Sequence, residues 1–165
     1  MKALTLKQPW LYTITDLDKW VENRTWPIPN KYLGEWVALH AGKTIDQREW
    51  AQAEVIHGRP ITKDVPIGAV VAVVTFTHVV NRLEQLTGIK RKWFFGPYGW
   101  VIGRKFILDY PIPCRGMLKL WQLPEEIKVE ILRQMEDRRV DGYLFATAKE
   151  KEQQEKWAKE AEKKT

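Results

Sequence analysis

The chain is poor in the residues that would staple or ligate it. It has one cysteine, Cys114, so no intrachain disulfide can form, which suits a reducing compartment. Its three histidines, His40, His57 and His78, stand at no metal-ligand spacing to one another or to Cys114. No metal and no cofactor is therefore expected. No apolar run reaches the roughly eighteen residues a bilayer span needs, and Met1–Lys7 lacks the apolar stretch of a secretory signal. A cytoplasmic chain with no membrane partner is expected. Nor is there a repeat of solenoid length.

Charge and tryptophan are what the chain does have. At 44% hydrophobic and 29% charged it is globular in composition, and 165 residues can bury a core without disulfides. The formal charge of +6 is unevenly placed: residues 124–165 carry 10 Lys/Arg against 11 Asp/Glu, and residues 1–123 carry 17 against 10. The basic excess thus belongs to the body, where its field favours phosphate-bearing partners. A merely solubilising surface would have the same composition.

Period and punctuation predict the elements. Lys2–Lys7 alternates as a short strand, and Pro9 opens a short helix with Trp10, Ile14 and Leu17 on one stripe. From Trp20 to Trp26 the period is two, which makes Glu22 and Arg24 same-face neighbours. A strand over 35–40 follows, then a helix over 45–57 with Thr44 and Gln47 in capping-box spacing. Ala69–Val80 is β-branched and apolar throughout, a central strand. Lys90-Arg91-Lys92 leads into an aromatic loop over 93–100. Strands are expected over 101–108 and 116–123, joined by the kinked link Tyr110–Pro113. Five or six short strands suggest a small closed or nearly closed barrel in an α+β fold. Two helical segments follow, 124–139 and a highly charged one over 147–164. The expected division is a barrel over 1–123 and a helical extension over 124–165.

The order of motifs resembles the ASCH family of the PUA-like superfamily. Leu6-Lys7-Gln8-Pro9-Trp10 is similar to that family's Gln-Pro-aromatic opening, and Lys19-Trp20-Val21-Glu22-Asn23-Arg24 to its Gly-x-Lys-x-x-Glu-x-Arg signature, with Leu17 where the glycine stands. Leu39-His40-Ala41-Gly42, Gly68-Ala69-Val70-Val71, Gly96–Trp100 and Pro111–Gly116 follow in family order. The resemblance implies a β-barrel with a cleft, lined by the signature Lys, Glu and Arg, that takes nucleic acid or a nucleotide-like ligand. One branch of the family deacylates N4-acylated cytidines, and ribonuclease activity is attributed to another.

On that footing Lys19 and Arg24 are expected to hold phosphate. Glu22 and Gln8 would read a base edge, Trp10, Tyr98 and Trp100 would stack on the ring, and His40 is a further ligand contact. The main expectation is a binding protein for RNA, other nucleic acid or a modified nucleobase. The alternative is a small amidohydrolase on N4-acylated cytidine, or a ribonuclease, with Lys19 and Glu22 catalytic. In the deacylating branch a threonine works with the lysine, and here that slot holds Glu22, which disfavours the same reaction. A third expectation is a protein partner docked on the charged C-terminal helix. Without the resemblance, the favoured reading is that Glu22 and Arg24 form a structural ion pair on a strand, with Lys19 solvated. Trp36, Trp50 and Trp121 are assigned to the core, and Cys114 to an inert position.

Overall fold

The structure is a computed structural model and describes residues 1–138. Six strands form one mixed sheet: β1 (Lys2–Gln8), β2 (Val21–Arg24), β3 (Trp36–Ile45), β4 (Ala69–Val80), β5 (Tyr98–Pro113) and β6 (Leu120–Gln122). Their order is β2-β5-β4-β3-β1-β6. Only the β1/β3 pair is parallel. The α+β expectation holds. As its β-branched composition predicts, β4 is the strand covered on both sides, with every residue from Ala69 to Phe76 buried.

Closure of the sheet does not follow from the strand count. The edges β2 and β6 are four and three residues long, and no strand pairing joins them among the described residues. The sheet is open, and the expected barrel closure is not seen. β6 pairs with Lys2–Leu4 of β1 and no further. Just beyond that point Arg24 Nη2 donates to the Thr5 carbonyl at 3.2 Å, so a side chain links β2 to β1 where the backbone ladder does not.

Two boundaries also moved. β5 is continuous from Tyr98 to Pro113, absorbing part of the aromatic loop and the proline link. This is possible because its register on β4 jumps from Ile112 to Ile107 across the single residue Val71, and Pro111 falls in that bulge. Helix α2 (Gln47–His57) is capped by Asp46, which accepts from Arg48 N and Glu49 N. Thr44 cannot cap because β3 continues to Ile45.

The core lies on one face of the sheet under α1 (Trp10–Thr15), whose Leu11 and Ile14 meet Leu4, Leu6, Phe76 and Trp100. Trp100 stands edge-on to Trp26 at 4.7 Å and to Phe76 at 5.3 Å. Trp50 and Ala53 turn the buried side of α2 toward Ile61, and Glu49, bordering that side, reaches Lys7 and Trp10.

By its contacts the chain forms two compact units, 1–128 and 129–165. Residues 125–138 are helical. Glu130, Arg133 and Asp137 form ion pairs at helical spacing. The charged segment over 147–164 lies outside the described residues. Among the described residues, no helix is long and apolar enough to cross a membrane.

Candidate functional site

The gap between β1 and β2 opens into a cavity of about 1150 Å³, somewhat larger than a small-ligand site usually is. β1, β2, the end of β3 and the loop over 114–119 wall it.

On the β2 side lies a buried charge relay. Lys19 is 1% exposed and Glu22 5%. Lys19 Nζ donates to Glu22 Oε2 at 2.9 Å, and Arg24 Nε stands 3.2 Å from Glu22 Oε1. That second contact is an ion pair off the hydrogen-bonding direction, because Arg24 Nε has no aligned acceptor. Below it Lys105, which no sequence signal singled out, donates to the carbonyls of Ile14 at 2.7 Å and Lys19 at 2.8 Å, with Nζ 3.7 Å from the Trp20 ring centre. It caps the end of α1 and fixes the turn from which Lys19 projects. Burial, with Lys19 adding to it, pulls the Lys105 ammonium down to about 8 although Asp18 works the other way.

The residues named from the sequence therefore separate. Glu22, Arg24, Trp10 and His40 line the cavity; Lys19, Gln8, Tyr98 and Trp100 do not. Gln8 is 1% exposed; its amide accepts from Tyr12 N and donates to the Pro66 carbonyl, both at 2.9 Å. Trp100 is fully buried and donates its indole N–H to the Trp26 carbonyl. Tyr98, opposite Arg24 in the ladder, packs on the core. Trp10 keeps a half-exposed ring, held by its N–H to Glu49 at 2.8 Å with Lys19 Nζ 5.2 Å from its centre.

His40 sits at the base of the 114–119 loop. Its Nε2 is 2.9 Å from the Cys114 carbonyl; since a carbonyl only accepts, that nitrogen carries the proton. Burial, helped by Lys43, pushes the imidazole below its ordinary pKa against the pull of the Cys114 bond, so the neutral ring presents Nδ1 as an acceptor. Nδ1 is buried with no partner, and Gly116 lies over it: a Cβ there would come within 2.5 Å.

Three exposed cations on the other wall had no assigned role. Lys43, Arg115 and Lys119 line the cavity and form no ion pair among the described residues. The two lining carboxylates, Glu22 and Glu49, already face cations. Arg115 falls inside the Pro111–Gly116 motif, so its position was visible in the sequence even though its role was not. Among the described residues no group of three or more His, Cys, Asp or Glu is placed to hold a metal ion.

Compared with solved structures, the protein is similar to the ASCH protein of Zymomonas mobilis, at a TM-score of 0.52 and 13% identity over 80% of this chain and 93% of that one. This chain has the ASCH fold. No protein-family model and no curated protein matches the sequence. At that identity the likeness carries the fold and assigns no ligand.

Proposed function

We propose that the cavity binds the phosphate-bearing part of a nucleic acid, RNA in the first instance, or of a nucleotide-like ligand. The observation that carries this is the imbalance of its lining: Lys43, Arg115 and Lys119 lack acidic partners among the described residues, and both lining carboxylates are already engaged. An anion entering there meets exposed donors with no competing protein carboxylate. Glu22, whose Oε1 lacks an aligned donor from Arg24, has lone pairs left for an exocyclic base amine, and the Trp10 ring stands beside it for stacking. Phosphate holding thus passes from Lys19, which is buried and paired, to the loop side, with Arg24 between.

The hydrolase alternative needs Lys19 as a base in contact with substrate. Its Nζ is bonded to Glu22 and it is not among the lining residues, which favours binding over that chemistry. Titrating single-stranded RNA against salt tests the proposal: Lys43→Ala and Arg115→Ala should each weaken binding at low salt and flatten the log–log salt slope by about 0.7. Unchanged affinity and slope in both variants would sink it. Release of cytidine from N4-acetylcytidine, lost in Lys19→Ala, would overturn the binding-only view.

A further inference from the structure

The aromatic loop before β5 divides its three rings unequally. Trp93 is fully buried and Phe94 half-buried, packed with Val21, Val80 and Val101. Phe95 is 48% exposed. It serves no core, yet its position is closely determined. Its backbone N–H donates to Asn23 Oδ1 at 3.0 Å, and Asn23 Nδ2 donates to the Trp93 carbonyl at 2.8 Å. Asp18 holds the preceding turn through the Trp93 indole at 2.6 Å and Lys92 at 3.3 Å. Burial works to raise the Asp18 carboxyl, but those two donors take it below the usual range, as a carboxylate fixed in this anchoring role should be.

Both groups that touch Phe95 belong to the cavity. Asn23 lines it, and so does Trp10, whose ring centre lies 5.4 Å from that of Phe95 at a 52° tilt. In the helical turn that precedes the ring in the chain, Lys90 and Arg91 form no ion pair among the described residues, and Arg91 is exposed. A flat exposed ring, anchored at the cavity rim and preceded in the chain by a basic turn, has the components of a single-strand stacking platform. Burying it costs little further ordering, because the loop is already fixed.

We infer that Phe95 is a second nucleobase subsite, so that the ligand is a single strand of at least two nucleotides, one held in the cavity and its neighbour stacked on Phe95 with its phosphate toward Lys90 and Arg91. The inference rests on the cavity reading above and extends it.

The test is calorimetric titration with 5′-phosphorylated single-stranded RNA of one, two, four and eight nucleotides. For the native protein, affinity should rise steeply from one nucleotide to two or more. Phe95→Ala should remove that rise, a loss of roughly fivefold to a hundredfold on the longer strands, and leave the mononucleotide unchanged. Phe95→Leu keeps apolar bulk against Trp10 without a π face and should behave like the alanine variant, whereas Phe95→Trp should retain the rise. Binding that does not depend on length, a rise that survives Phe95→Ala, or equal affinity for a blunt duplex would overturn the subsite while leaving the cavity reading in place. No binding at any length would remove both. Equal weakening of the mononucleotide in Phe95→Ala would mean that the ring only supports Trp10, and would also overturn it.

Discussion

The two walls of the cavity carry similar charges in opposite circumstances. On the β2 wall Glu22 and Arg24 face each other, and Lys19, behind the lining, neutralises Glu22 in a pair almost wholly out of solvent. On the loop wall Lys43, Arg115 and Lys119 are exposed and have no acidic partner among the described residues. A buried pair is bound to its own partner by the cost of leaving either ion alone in a low dielectric. An exposed cation has no such commitment and responds to whatever anion arrives. The Lys19–Glu22 pair should hold the fold together, and the loop wall should supply the grip on phosphate.

The largest effect that would break this contrast is on stability. Lys19→Met leaves Glu22 buried with only the off-line Arg24 contact, and should lower unfolding free energy by about 3–5 kcal/mol. Lys43→Ala, at the surface, should stay within about 0.5 kcal/mol. Denaturant titration of both variants measures the difference. Lys19→Met/Glu22→Gln should recover much of the loss, since the stranded charge is gone. Equal, small effects from Lys19→Met and Lys43→Ala would erase the distinction between the walls.

That distinction was only partly legible in the sequence. Alternation over 20–26 put Glu22 and Arg24 on one face, and their carboxylate and guanidinium do meet. The apolar run over 69–80 identified the central strand, and the motif order pointed to the ASCH frame. What linear spacing could not reveal was which cations are already paired. Lys19 and Lys105 look as solvated in the sequence as Lys43, and only the packing of α1 over the sheet buries the first two. Aromatics misled for the same reason: Trp100 and Tyr98 stood beside two glycines and were assigned to a loop, yet β5 takes them into the ladder. Gly99 lets this happen, because a Cβ there would meet the Phe94 ring at 2.8 Å. The ring left exposed, Phe95, had no feature in the sequence to separate it from its neighbours. Barrel closure failed as an expectation because counting strands does not reveal whether the two edges, β2 and β6, pair with each other.

The geometry of the loop wall gives a second, smaller effect. A Cβ on Gly116 would lie 2.5 Å from His40 Cε1 and Nδ1. The ring cannot easily yield, being flat, buried and bonded to the Cys114 carbonyl, so the loop must. Gly116→Ala should therefore lift Arg115 and Lys119 away from the cavity. RNA affinity should drop about as far as in Arg115→Ala, with about 1–3 kcal/mol lost in stability from the overpacking. Adding His40→Ala should relieve the collision and restore much of both, a coupling a double-mutant cycle would measure. Full affinity in Gly116→Ala alone would mean that the loop's cations do not depend on that seat.

A further effect lies in pH and concerns the lysine packed behind the paired wall. Burial holds the Lys105 ammonium at about 8 in the folded chain, against an ordinary 10.5. Between those values the unfolded chain keeps a proton that the native one has released, so stability contributed by this site rises with pH across the window. Deprotonation need not break its bonds: a neutral amine still has two N–H groups for the carbonyls of Ile14 and Lys19. The stability of the native protein relative to Lys105→Met should accordingly increase from pH 8 toward 10.5, measured by denaturant unfolding at each pH. A flat difference would place Lys105 with the solvated lysines of the other wall, and a falling one would mean that its contact with the Trp20 ring outweighs the cost of burying its charge.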